Sequence, residues 1–234
     1  MSTLHTPRRL TIGLAVATVV AFGALAARVV WAGTPRYGFL AWNLILAWVP
    51  YLAAVAATAL ARTGRRGVLP LGVLWLLFWP NAPYIVTDVV HLLRPGAAIT
   101  WVEVTLVALF AATGLALGLA SLGLIHRVVA ARRGRAAGLA LVAVALPLGA
   151  IGIYLGRVHR FNSWDVVADP LGILRTLAFD LPGPLSLPAM AALLAAMTGC
   201  LGLAYAVAWR LGRATNGAGR ISWRGPESRW RRHR

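Results

Sequence analysis

Long apolar runs follow one another along the chain, separated by short polar interruptions. Each run is about 20 residues or longer, the length that a helix needs to cross the hydrocarbon core of a bilayer. The runs cover approximately residues 10–30, 37–61, 68–93, 101–125, 136–156 and 187–209. We read the first run as an uncleaved span, because it is longer than the apolar region of a typical signal peptide. The pattern predicts an all-α polytopic membrane protein with about six transmembrane helices.

The third run differs from the others because polar residues and two prolines interrupt it. Pro80 and Pro83 have no N–H to donate to the carbonyls of Leu76 and Trp79, so a helix must kink or unwind there. The polar members of this run are spaced by three, four and three residues, which predicts one polar stripe. They are Asn81, Tyr84, Asp88 and His91. The sequence thus predicts a Pro-broken third helix with a polar stripe that faces protein or water.

A second group of polar residues opens the long loop between the fifth and sixth runs. It contains Arg157, His159, Arg160, Asn162, Trp164 and Asp165. Further along, Asp169 before Pro170 is a favourable start for a helix, which we expect to lie along the membrane interface. A rise of about 1.5 Å per residue puts Asp88 and Arg157 at one membrane level, each about 30 Å from the start of its span. We expect Asp88 to pair with Arg157 or Arg160.

The charge of the chain is strongly basic. All 23 basic residues are arginine, there are six acidic residues, and the formal net charge is +17. With six spans, seventeen arginines fall on the side of the two termini and six on the opposite side. The positive-inside rule therefore predicts cytoplasmic termini in a cell inner membrane. The single cysteine, Cys200, excludes an internal disulfide, and we expect it to be a small core residue.

The arginines also bear on domains and partners. We expect a six-span membrane domain over residues 1–209 and a basic, disordered cytoplasmic tail over 210–234. The cytoplasmic arginine clusters should attract the anionic headgroups of membrane lipids. No nucleic-acid-binding motif accompanies the charge, so no specific nucleic acid is expected. His126, beside Arg127 in a basic loop over 126–135, is expected to be solvated.

Two motifs carry a resemblance to a known family. They are WLLFWPNAPYIVTDVVHL at Trp75–Leu92 and YLGRVHRFNSWDV at Tyr154–Val166. Together they resemble the uncharacterised bacterial membrane family called domain of unknown function 1361, and the resemblance covers most of the membrane region. It implies a multi-span bacterial membrane protein. It implies no activity that can be transferred to this chain.

The polar residues allow an enzyme that acts on a lipid or envelope substrate. Asp88 or His91 would serve as general base, and Arg157 or Arg160 would hold a phosphate or carboxylate. The candidate catalytic residues are Asp88, His91, His159 and Asp165, and the candidate substrate-binding residues are Asn81, Tyr84, Arg157, Arg160, Asn162 and Trp164. The catalytic four could also ligate a metal ion, although the spacing is not diagnostic and no cofactor is identified. No GxSxG, HExxH or P-loop motif is present.

Two other interpretations use the same residues. A small-solute or ion transporter could use the backbone of the broken third helix, although the six runs show no internal repeat. Alternatively the residues are structural, and Asp88 and Asp165 pair with arginines to hold the long loop on the third helix while Asn81 satisfies carbonyls freed by the prolines. The sequence does not choose between an enzyme, a transporter and a structural or interaction protein.

Overall fold

The computed structural model describes residues 8–64, 67–93 and 100–218, which are helical apart from short connections. Six helices are long and apolar enough to cross a membrane, as the sequence predicts. The spanning elements are α1 (Arg8–Ala32), α2 (Gly38–Arg62), α3 (Val68–Phe78), α4 (Asn81–Tyr84) with a 3₁₀ helix (Ile85–Leu93), α5 (Trp101–Arg133), α6 (Arg135–Tyr154) with a π-helix (Leu155–His159), and α9 (Leu187–Ala218). The long loop carries α7 (Asp165–Ala168), α8 (Pro170–Arg175) and a second π-helix (Thr176–Asp180).

The third span is broken at its prolines, as expected. The last regular hydrogen bond of α3 runs from Trp79 N to Trp75 O, at 2.7 Å. Ala82 N then bonds to Trp79 O at 3.1 Å, one residue short of α-helical spacing. This leaves the carbonyl of Phe78 to the side chain of Asn81, whose Nδ2 donates to it at 3.0 Å. Asn81 therefore satisfies a carbonyl at the break.

The bundle is organised around α5, which packs against α1, α2, the third span and α6. Its two glycines with GxxxG spacing let the broken span come close. A Cβ added at Gly114 would lie 2.6 Å from Ile85 Cδ1 and 2.9 Å from the carbonyl oxygen of Ala82. At Gly118 it would lie 3.1 Å from Ala82 Cβ. The glycine face of α5 thus packs closely against the broken part of the third span.

The fourth span is longer than the sequence suggested. No residue stops α5 until Gly134, where φ is +93°, so the helix continues through the expected basic loop. His126 lies within this extension, and the expectation that it is solvated was wrong because α9 covers it. The imidazole is buried, its Nδ1 lies 2.7 Å from the hydroxyl of Tyr205, and its ring stacks on Trp209 at 4.5 Å between centroids.

The last span also runs beyond its expected end. Residues 210–218, the beginning of the tail that we expected to be disordered, continue α9. The rest of that tail, residues 219–234, lies outside the described part of the chain. Cys200 is exposed on α9, so the expectation that it lies in the core was wrong. α9 packs against α6 and, through the contacts of His126 with Tyr205 and Trp209, against α5, and most of its remaining surface is exposed.

A buried ion pair that was not among the sequence-based predictions joins α1 to the start of α5. Arg28 Nη2 donates to Glu103 Oε1 at 3.1 Å, and both side chains are buried. Glu103 also completes a capping box with Thr100, so the pair fixes the beginning of α5. The guanidinium of Arg28 lies over the ring of Tyr37, 5.1 Å from its centroid. Burial, and then the Glu103 carboxylate, raise the pKa of Tyr37 above its ordinary value.

Candidate functional site

The two polar groups meet in a cavity at one end of the bundle. We call this end the loop face; it is where α1 ends, where α2 begins and where the long loop leaves the fifth span, formed by α6 and its π-helix. The cavity has a volume of about 780 Å³ and lies between α2, the broken third span, the end of α6 and the start of the loop. The side chains of Asn81, Tyr84, Asp88 and His91 all line it, so the predicted polar stripe is confirmed.

Asp88 is the most deeply buried polar residue of the cavity, with 1% of its surface exposed. Arg157 Nη2 donates to its Oδ1 at 2.7 Å, which confirms the expected ion pair. Asn43 on α2 donates to its Oδ2 at 2.8 Å. Both carboxylate oxygens therefore accept a short hydrogen bond, which is the condition under which a buried charge is tolerated.

Arg157 is held on several sides by the third span. It extends from the π-helix that follows α6, and its Nε and Nη2 both donate to the hydroxyl of Thr87. The ring of Tyr84 lies against the guanidinium at 4.4 Å, within the range of a cation–π contact. Among the described residues Nη1 has no hydrogen-bond partner, and the Arg157 side chain is 26% exposed. Arg157 is thus fixed in position with one nitrogen available to a ligand.

His91 lies beside this ion pair. Its Nδ1 is 3.2 Å from the backbone oxygen of Asp88 and 3.8 Å from the Oδ1 of the same residue. Both of these groups accept hydrogen bonds, so Nδ1 carries the proton in the neutral ring and Nε2 carries the lone pair. The ring of Phe39 packs against the imidazole at 4.5 Å. The arrangement presents Nε2 as a proton acceptor in the cavity wall.

The loop is attached to the break in the third span. Asn81 Nδ2 donates to Ser163 Oγ at 2.7 Å, in addition to its bond to Phe78. Trp164 meets the edge of Trp42 on α2, with ring centroids 6.5 Å apart. Asn162 and Arg160 line the cavity, whereas Trp164 is not among its lining residues. Arg160 has an exposed side chain and a left-handed backbone (φ 62°), and among the described residues its guanidinium has no ion-pair partner.

Two of the candidate catalytic residues are not among the residues that line the cavity. His159 turns toward the second half of the loop, where its Nε2 lies 3.2 Å from the carbonyl oxygen of Leu181. Asp165 accepts a hydrogen bond from the backbone N–H of Asn162 at 2.6 Å and so closes a local turn. The suggested ion pair of Asp165 with an arginine is absent from the described residues. The described residues also contain no cluster of three His, Cys, Asp or Glu that could hold a metal ion, so the four suggested ligands are not assembled.

Three contributors to the site were missed or only partly foreseen. Asn43 forms a hydrogen bond between α2 and the third span, with the central carboxylate of the cavity. Its signal in the sequence was an amide in an apolar run. Thr87 and Ser163 gave no signal, because hydroxyl residues are common in helices and loops and their partners are 70 and 82 positions away.

The fold and the cavity together define a multi-pass helical membrane protein with a polar site at one face. The family model described as "Protein of unknown function (DUF1361)" matches residues 42–201. This is more than half of the chain, and the protein therefore belongs to that family. The matched range begins at Trp42 and includes every cavity residue named here except Phe39. No curated protein and no solved structure matches the chain.

Proposed function

We propose that the cavity binds an oxyanion, a phosphate or carboxylate group, and that the protein is an enzyme or accessory factor for a lipid or envelope substrate. The observation that carries the proposal is an excess of cationic donors. Arg157 and Arg160 both line the cavity, and one carboxylate, Asp88, faces them. That carboxylate is already bonded to Arg157, so within the described part of the chain no anion pairs with Arg160 or with Nη1 of Arg157.

The chemistry of these donors suits an oxyanion. A guanidinium offers a planar set of N–H groups that matches the oxygens of phosphate and carboxylate. The contacts of Arg157 with Thr87 and Tyr84 hold it in one geometry before a ligand arrives, so little side-chain freedom is lost on binding. Arg160 is exposed and can adjust to the ligand.

His91 is the residue that we assign to proton transfer if the protein is an enzyme. Its Nε2 carries the lone pair, and the ring is oriented by Phe39 and by the backbone of Asp88. Asp88 itself is better suited to positioning, because both of its oxygens accept hydrogen bonds from fixed donors. In this proposal Asp88 holds Arg157 and supports His91, and it does not act as the base.

The orientation belongs to the same proposal. Seventeen arginines on the side of the termini against six on the loop-face side support cytoplasmic termini and a cavity that opens away from the cytoplasm of a bacterial inner membrane. Arginines near the other end of the bundle, among them Arg62, Arg132 and Arg133, would then contact anionic headgroups of the cytoplasmic leaflet.

The experiment measures binding of three phosphates to the purified full chain: inorganic phosphate, butyl phosphate and dodecyl phosphate. Loss of a hydrogen bond between charged groups is worth roughly 1.5–3 kcal/mol, so Arg160→Gln should weaken binding by about tenfold or more. Arg175→Gln is the matched control, since Arg175 is an exposed arginine of the same loop that does not line the cavity. Its affinity should stay within about twofold. Equal binding by Arg160→Gln and the unaltered protein, or no binding of any of the three, would contradict the proposal.

A further inference from the structure

The polarity of the cavity changes with depth in the membrane. Its polar groups Asp88, His91 and Arg157 come from the ends of the third span and of α6, and these ends lie at the loop face. Its deeper lining comes from residues farther from that face. On α2, which begins there, Leu46 lies about 12 Å below Gly38 at 1.5 Å per residue.

The deep end of the cavity is apolar. It is lined by Leu46, Leu77, Pro80 and Gly152, from three different spans. Asn81 and Ser163 are the polar exceptions at this depth, and they bond to each other at 2.7 Å. The second hydrogen of the Asn81 amide is used by the carbonyl of Phe78. Since half of a hydrocarbon core is about 15 Å thick, the deep end approaches the middle of the bilayer.

The rim of the cavity is also partly apolar. Trp42 on α2 and Val90 on the 3₁₀ helix line it and are each about half exposed, at 53% and 47%. Trp164, which touches Trp42 from the loop, is 40% exposed. Exposed tryptophans at the end of a transmembrane helix are typical of the boundary between hydrocarbon and headgroups. The cavity therefore combines cationic groups at headgroup level with apolar surface at chain level.

From this gradient we infer that the ligand is a lipid: an amphiphile whose phosphate or carboxylate head lies between Arg157 and Arg160 and whose chain begins in the deep end. The inference rests on the proposed oxyanion site and adds the source of the oxyanion. A volume of about 780 Å³ falls within the roughly 300–1,000 Å³ of pockets for drug-sized ligands and far exceeds the need of an inorganic ion. A soluble oxyanion would leave Leu46 and Leu77 in contact with water or empty space, whereas a hydrocarbon chain covers them.

The test uses dodecyl phosphate with a photoreactive diazirine at the far end of its chain, added to the full protein in lipid nanodiscs. Illumination should attach the probe within the α2 segment around Leu46 or the α3 segment around Leu77. Leu46→Trp fills the deep end and should reduce labelling at least fivefold. Leu52→Trp is the control, because Leu52 is an exposed residue of the same helix that does not line the cavity. It should leave labelling unchanged.

The possible outcomes distinguish a lipid ligand from a small oxyanion ligand. A lipid ligand is supported by two results together. The probe labels the deep end, and unlabelled dodecyl phosphate prevents this labelling at concentrations at least tenfold below those needed of butyl phosphate or inorganic phosphate. If inorganic phosphate competes as well as dodecyl phosphate, or if Leu46→Trp labels like Leu52→Trp, the lipid inference fails while the oxyanion site stands. If no phosphate competes and Arg160→Gln labels as the unaltered protein does, the oxyanion site fails too.

Discussion

Removing the guanidinium of Arg157 should destabilise the protein more than removing the charge of Asp88. Asp88 is 1% exposed, so in an Arg157→Met variant its carboxylate stays buried with Asn43 as its remaining short contact. Loss of one partner of a buried pair costs about 3–5 kcal/mol. Methionine keeps most of the apolar length of the arginine side chain, and therefore most of its packing on Tyr84, so the loss of charge dominates.

Substitution of the other partner, Asp88, should destabilise the protein less. In Asp88→Asn the guanidinium of Arg157 keeps its bonds to Thr87 and its contact with Tyr84, and because the side chain is 26% exposed it can also reach water. We expect a cost of about 1–3 kcal/mol, typical of a lost hydrogen bond to a charged group. The double variant leaves no charge behind, so it should be more stable than Arg157→Met alone.

The measurement is a double-mutant cycle on the free energy of unfolding in mixed micelles, followed by circular dichroism during titration with a denaturing detergent. We expect a coupling energy of about 2–3 kcal/mol, in the range for groups in direct contact and larger than the measured cost of Asp88→Asn alone. Additive effects of the two substitutions, or an Arg157→Met variant as stable as Asp88→Asn, would refute a buried ion pair at this position.

Two further predictions concern the packing of α5 and the orientation of the chain. Gly114→Ala should destabilise the protein by about 1–3 kcal/mol in the same unfolding assay, because the new Cβ would meet Ile85 and the backbone of Ala82. Gly123→Ala on the same helix has nothing within 4 Å of the new Cβ and should be neutral or slightly stabilising, so equal effects would argue against the close approach. In a Cys200→Ala background, Ser186→Cys should react with an impermeant thiol reagent in intact cells and Ser222→Cys should not. Labelling of Ser222→Cys would reverse the proposed orientation.

The positions of the spans could be predicted because the bilayer imposes one length and one polarity on each of them. The break in the third span followed from the chemistry of proline alone. The prolines indicated Leu76 and Trp79 as the freed carbonyls, whereas Asn81 bonds to the carbonyl of Phe78, because Ala82 N turns to the Trp79 carbonyl. The ends of the spans were less predictable. The sequence over 126–133 is basic enough to suggest a loop, yet α5 continues there because it meets no helix breaker before Gly134 and because α9 supplies Tyr205 and Trp209 as partners for His126.

The pairing of Asp88 with Arg157 was predictable from depth, since few other charges are available at that level. The sequence did not predict which neighbours of Arg157 line the cavity. His159 is two residues away and was expected beside it, but the π-helix and the left-handed residue Arg160 redirect the chain so that the imidazole contacts Leu181. Local backbone geometry of this kind leaves no periodic signal. The pairing of Arg28 with Glu103 could have been found by the same depth argument, because Arg28 is near the end of α1 and Glu103 near the start of α5, both at the loop face.

The break in the third span and the polar start of the long loop depend on each other. Without Pro80 and Pro83 a regular helix would use the Phe78 carbonyl internally, and that carbonyl would no longer hold the Asn81 amide in the orientation that meets Ser163. Without the π-helix that ends the fifth span, Asp88 would lack Arg157 and would be a buried charge with Asn43 alone. Two attachments about two turns apart on the same side of the third span therefore hold the loop across the cavity. Arg160 lies between them in sequence, held by neither, and this is why it is the residue best able to adjust to a ligand.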